Sequence, residues 1–230
     1  PMSEQAATVR DVLCWELAEH KADVVTGQEV KDIKAAGKGP SKSGFTIYTA
    51  KETYQCKKLI MACGGASSSK LGSNGSGYRL AENLGHHIIA PVPALCALHC
   101  KEKYFKELAG IRLQGSVTLF TDGKMAAEDS GEIQLTAYGI SGIPVFQVSR
   151  YAAKALRIKK PVTAVLDLMP AVSEKGLRVR FLWQMHANPK WTMRMVLSGM
   201  MNSKLAACLL KCAGIDGGQP CHKVGSAALE

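Results

Sequence analysis

Near the start of the chain apolar positions recur at helical spacing. Ala6, Val9, Val12, Leu13 and Leu17 share one side of the stretch from Glu4 to Glu19, which with Ser3 ahead of it predicts a capped amphipathic helix. "ADVVTGQEVKDIKA" predicts a short strand and then a second one, "KGPSKSG" a turn, and the alternation in "FTIYTAKETYQCKK" a hairpin. Leu59 to Ala62 is a short apolar run that reads as a buried strand. The glycine-rich stretch from Gly64 to Gly77 is expected to hold no regular structure, and Tyr78 to Leu84 predicts the body of a helix that Gly85 ends.

From Pro91 the texture changes. "APVPAL" is punctuated by proline, and "GIRLQGSVTLFTDGKMAAEDSGEIQLT" predicts consecutive strands with turns at Thr121-Asp122-Gly123 and at Asp129-Ser130-Gly131. "GISGIPVFQVSRYAAKAL" predicts a loop entering a helix at Pro144, a residue tolerated in a first turn. "PVTAVLDLMP" predicts a further strand, and "SEKGLRVRFLWQMHA" and "KLAACLLKCAG" predict helices. The expected fold class is therefore α/β and α+β. A first domain covers 1–91, a second, mostly β with helices, covers 92–214, and a tail covers 215–230, where the closing "AALE" reads as a cloning remnant. The second domain holds apolar clusters able to bury one another. The first is expected to leave a sheet edge unpaired and either to lean on a second copy, as in a homodimer, or to be more mobile than the second.

Strand, glycine loop and helix in that order can bring backbone amides up to a phosphate; the same order also serves as a plain connection with flexible turns. Composition narrows the field without choosing. With 230 residues, 47% hydrophobic and 21% charged, the chain suits a globular protein with a sizeable core, and no apolar run approaches the length of a membrane span. The formal charge of +10 suits an anionic partner, but the basic residues are scattered, with short runs such as "KEKYFK" and "RIKK". Nucleic acid is accordingly not the expected partner, and a solvated basic face is. Eight cysteines with no export signal are read as reduced thiols, which points to a cytoplasmic protein. Cys96/Cys100 and Cys208/Cys212 are spaced four apart, with His99 and His222 near cysteines, but the paired CxxC spacing of structural zinc sites is absent and no metal is assigned. His86 and His87 follow Gly85 and suit a helix C-terminus. Met193, Met195, Met200 and Met201 with Trp183 and Trp191 are read as packing.

Several motifs in a fixed order carry a resemblance. "MACGGASSSKLGSNGSGYRLAENLGH", "PVPAL", "ELAGI", "GEIQLTAYGISGIPVFQVSR" and "VLDLMP" resemble the BaiN/YhiN-like flavoprotein family of bacterial NAD(P)/FAD-dependent oxidoreductases, across nearly the whole chain. The resemblance implies a partial, Rossmann-like FAD-binding domain followed by an inserted domain that covers the active site. It also implies FAD in the parent protein, NAD(P)H as a further cofactor, and a small-molecule substrate that the sequence does not identify. The family's opening GxGxxG loop and closing flavin segment do not occur in these residues, so a fragment inactive by itself is expected. By resemblance, the backbone at Val30 meets the adenine, and Ala62, Gly64 and Gly65 pass close to the cofactor. Gly72 and Gly75 shape the loop into the next helix, and Thr136 and Ser141, with Tyr138, are polar candidates facing cofactor or substrate. Cys63 stands where threonine is common, and Ser68-Ser69 where an aromatic residue and proline are usual. Ala137 and Ile143 occupy the places of the family's histidine and proline, so a proton-exchanging imidazole is missing at 137 and no catalytic residue is assigned. The alternative reading is a basic nucleic-acid-binding module of a flavoprotein related to RNA-modifying enzymes.

Overall fold

A computed structural model of the chain describes residues 1–36 and 44–224. The turn expected in "KGPSKSG" lies, except for Gly44, outside the described residues, as does the closing "AALE". The chain divides into two compact units, Pro1–Pro91 and Val92–Glu230.

The first unit opens with α1 (Ala6–Glu19), which starts two residues later than the sequence predicts and carries no side-chain cap. Ser3 instead bonds locally, its hydroxyl 2.8 Å from Thr8 Oγ1 and 3.4 Å from the Gln5 amide it accepts from. No residue of α1 is buried, so its apolar positions do not form a core-facing stripe within these residues. Only one of the two strands expected between 22 and 35 forms, β1 (Val30–Ala35), and it pairs antiparallel with β2 (Phe45–Thr49), which pairs with β3 (Thr53–Cys56). Thr49 closes the hairpin by accepting from the Glu52 amide at 2.9 Å and donating to the Glu52 carbonyl at 2.8 Å. Leu59 to Ala62 is a correction. These residues lie outside every strand, because a strand needs a neighbour to complete its ladder and none of the described segments supplies one. α2 (Ser76–Asn83) packs on β1, and Leu80 of the helix and Ile33 of the strand are both at most 5% exposed.

The second unit is a five-stranded antiparallel sheet in the order β4-β7-β6-β5-β8, formed by Leu98–His99, Gly139–Gly142, Lys124–Thr136, Arg112–Thr121 and Val162–Asp167. The β5–β6 pair dominates it. Its turn places Asp122 and Gly123 at φ 55° and 73°, the left-handed pair that a two-residue hairpin matched to sheet twist requires. The second turn predicted, at Asp129-Ser130-Gly131, does not exist: β6 runs through it, with Gly131 opposite Gly115 in the ladder. α4 (Ile143–Arg157), with Pro144 in its first turn, lies on the sheet. Val145, Val148 and Ala152 join Val117, Leu119, Ile133 and Leu135 in a core whose members are all nearly fully buried. Short α3 (Phe105–Leu108) adds Phe105 and Leu108 to that core. Burying one such side chain contributes about 1.5–3 kcal/mol, so this cluster is the main source of cooperativity in the unit.

A second cluster is built by α5 (Glu174–Ala187), α6 (Met193–Ser198) and α7 (Ser203–Cys212), capped in turn by Ser173, Thr192 and Asn202, each accepting a backbone N–H. Met193, Val196, Leu197, Ala206 and Leu210 form its interior together with Cys221 and Val224. Residues 215–224, assigned from sequence to a tail, therefore belong to the packed body: Cys221 is fully buried and its amide donates to the Trp191 carbonyl at 2.8 Å.

Candidate functional site

The residues singled out from sequence fall into two groups, one in each unit. In the first, the stretch from Ala62 to Ser76 folds back on itself. Ser68 and Ser73 exchange backbone hydrogen bonds of 3.3 and 3.1 Å around a single 3-10 turn (Ser69–Leu71), and the Gly75 amide donates to the Gly65 carbonyl at 2.9 Å. Asn74 Oδ1 accepts from the Ser76 amide at 3.0 Å, setting the start of α2. So the glycine stretch, expected to hold no regular structure, contains only that 3-10 turn and the first residues of α2, and its own main chain closes the rest.

The glycines have separate causes. At Gly65 a Cβ would stand 2.8 Å from the Tyr78 hydroxyl, at Gly64 2.9 Å from Ser73 Oγ, and at Gly77 it would run into Cys63 Sγ. These three positions are small because neighbouring side chains of this chain fill the space. Gly72 and Gly75 have open or ordinary surroundings but sit at φ 96° and 82°, where a side chain is strained. Ala62 and Gly64 remain exposed, with at most a methyl group over the backbone, which at Gly64 takes a left-handed φ of 73°. That accessible, small-residue backbone fits the edge of a flat heterocycle. Val30, half-buried at the first position of β1, faces Thr49 in the ladder.

In the second unit, Thr136 and Ser141 flank the β6–β7 turn. Thr136 Oγ1 donates to the Gly139 carbonyl at 3.1 Å, and Ser141 stands opposite Gln134. Thr136 is thereby a turn-closing residue. Ala137 and Tyr138 form the exposed tip, with Tyr138 45% accessible. Sequence reasoning missed the group beside them. β4 pairs with β7 so that His99 faces Gly139, the Cys100 amide donates to the Tyr138 carbonyl at 2.9 Å, and the His99 ring stacks on Tyr138 at 4.5 Å. An imidazole therefore adjoins the place where the family histidine is replaced by Ala137, supplied by a strand some forty residues earlier. Only the pairing of β4 reveals it. Burial, with Glu102 nearby, pushes the Cys100 thiol above its ordinary value. Among the described residues no cluster of three or more His, Cys, Asp or Glu side chains is placed to hold a metal, and all eight cysteines are unpaired. No helix among them is long and apolar enough to cross a membrane.

Comparison with known proteins gives these features a context. Residues 92–230 match the HI0933-like protein barrel and H2TH domain. The chain is 37% identical over all 230 residues to a 3-dehydro-bile acid delta(4,6)-reductase of Clostridium scindens, covering 55% of that protein. It is 27% identical over 205 residues to a ribosomal RNA dihydrouridine synthase of Haemophilus influenzae, 88% of this chain and 47% of that one. A 113-residue stretch is 30% identical to the ribosomal RNA dihydrouridine synthase of Escherichia coli, 48% of this chain and 27% of that one. The chain thus spans about half the length of the first two relatives. With the family model covering the sheet of β4 to β8 and the helices after it, more than half of the chain, the chain belongs to the HI0933-like family of flavoproteins.

Proposed function

We propose that this chain is the middle portion of a flavin-dependent reductase that uses FAD and takes its electrons from NAD(P)H in the cytoplasm. The observation that carries the reading is the 37% identity to the Clostridium scindens reductase, which extends over all 230 residues and so over both units. FAD, when bound, supplies the hydride chemistry. The part of these residues is to hold and shield it: Ala62 and Gly64 offer exposed backbone without bulk, while Gly65, Gly72 and Gly75 fix the return of the loop into α2. Val30 marks the strand edge on which the adenine end would rest, and Thr136, Tyr138 and Ser141 border the face offered to substrate.

The same reading holds that the 230 residues alone do not retain the flavin. Trp15 of α1 and Ile60 are 69% and 89% exposed, so this unit by itself leaves large apolar side chains in water. Purifying the chain beside a longer polypeptide that covers the full length of the Clostridium scindens relative tests both parts. The longer protein is expected to carry the flavin absorbance band and to oxidise NADH or NADPH in its presence, and the short chain to be colourless. A longer protein that binds no flavin overturns the reductase reading; a yellow short chain overturns the retention claim alone.

A further inference from the structure

α5 has two apolar faces. Leu177, Phe181 and Met185 follow one another at the spacing of one helical turn, and Phe181 and Met185 pack against the interior of the helical cluster. Val179, Leu182 and Trp183, three and four residues apart, share the opposite side and stand 60%, 46% and 67% exposed. A surface helix ordinarily carries one apolar stripe, facing the core, and fills the rest of its circumference with polar groups. Packing within the second unit accounts for the first stripe of α5 and leaves the other in water.

Charge is arranged around that outer stripe. Arg178 and Arg180 fall about a quarter turn to either side of Val179, one along each border. Lys175 lies one turn before Val179 and His186 one turn after Leu182, at the two ends of the stripe, and all four side chains are exposed. From Lys175 to Ile215 the chain holds seven lysines and arginines and not one aspartate or glutamate, so nothing on these helices offsets the cations.

The pattern discriminates among occupants. A second copy laid on the same stripe would set arginines against arginines, with no carboxylate in the interval to answer them. Single-stranded nucleic acid calls for ring faces on which bases stack, and two of the three members of the stripe are aliphatic. An anionic lipid surface uses every part of it. Val179 and Leu182 enter the boundary of the acyl chains, the indole of Trp183 sits at headgroup level, and cations along both borders reach outward on their apolar stems to the lipid phosphates. We propose that the outer face of α5 docks the chain on an anionic membrane surface, the helix lying in the plane of the headgroups without crossing. The surface lies wholly in the second unit and does not depend on the flavin reading.

The test uses the full chain and vesicles of phosphatidylcholine with or without phosphatidylglycerol, read by co-sedimentation over a salt series. Binding is expected on the anionic vesicles alone and is expected to weaken as salt rises. Lys175→Gln and Arg180→Gln should each weaken it about fivefold, and Leu182→Asp should abolish it. All three positions are exposed, so these changes open no core, and far-UV circular dichroism checks that each variant folds. In the variant Trp15→Phe, Trp191→Phe the one remaining indole is Trp183, whose emission should shift to the blue on anionic vesicles and be quenched by brominated acyl chains. The proposal is overturned if the chain does not sediment with phosphatidylglycerol vesicles, if neutral vesicles serve equally, if Leu182→Asp binds as the native chain does, or if the Trp183 emission does not move. It is equally overturned if the chain binds an RNA oligonucleotide but not the vesicles, or if sedimentation velocity shows a dimer that Leu182→Asp dissociates.

Discussion

The imidazole of His99 lies against the phenol of Tyr138, ring centroids 4.5 Å apart and planes 22° from parallel, at the exposed tip of the β6–β7 turn. The two residues are brought together by the β4–β7 ladder, in which His99 faces Gly139; a Cβ at 139 would collide with the Leu98 carbonyl. Stacked rings contribute about 0.5–1.5 kcal/mol beyond area burial, and near this chain length each kcal/mol moves the midpoint by about 2–4 °C. Tyr138→Ala should lower the midpoint of the second unit by a few degrees and Tyr138→Phe should not. A double-mutant cycle with His99→Ala should return a coupling of about 1 kcal/mol; additive losses would show that the stack contributes nothing.

A different pair tests the glycine stretch. Gly77 lies one residue inside α2, where alanine would ordinarily gain about 1 kcal/mol over glycine. Here the added methyl would meet Cys63 Sγ. Gly77→Ala is therefore expected to destabilise the first unit in the native background and to become neutral or stabilising once Cys63→Ala removes the sulfur. Urea unfolding followed by a probe in residues 1–91 reads this reversal of sign; the same sign in both backgrounds would mean the sulfur is not what the glycine accommodates.

The contrast between these sites shows what the sequence makes legible. The β5–β6 hairpin could be read because its alternation and its Asp122-Gly123 turn are local. The Asp129-Ser130-Gly131 turn was misread because the same residue types sit in a strand once Gly131 finds Gly115 across the ladder. Leu59 to Ala62 has the composition of a strand, but pairing is a property of two segments and composition describes one. His99 beside Tyr138 was illegible for the same reason.

Thiol chemistry gives a pH-dependent prediction. Burial is the first cause that raises Cys100 and Cys208 above the ordinary thiol value of 9.0, with Glu102 adding to it at Cys100 and Cys212 at Cys208. The folded chain holds these protons to higher pH than the unfolded chain does. Their contribution to stability is thus fully present below the ordinary value and is lost as pH rises through the raised one. At about pH 8.5, below that ordinary value, iodoacetamide should modify the exposed Cys14 and Cys63 before Cys100 and Cys208, because burial both shields the latter two and keeps them protonated, and the thiolate is the nucleophile. Peptide mass mapping over time reads the order. Cys100 or Cys208 labelled first would contradict the burial seen here.

Limited proteolysis addresses the two units. In the first, Ile33 and Leu80 are the only large side chains that reach full burial among the described residues, and α1 buries none. The second has two clusters, one on the sheet under α4 and one among α5 to α7, and Met201 packs against both. Local opening scales inversely with such buried contact, so trypsin should cut within residues 1–91 first, at exposed lysines such as Lys21 and Lys58. The resistant product should begin near residue 92 and extend to about Val224, because Cys221 is fully buried and a core trimmed at 214 would lose it together with Val224. A product ending at 214 with undiminished stability would remove residues 215–224 from the packed body, and a resistant piece covering 1–91 beside a digested remainder would reverse the order of the two units.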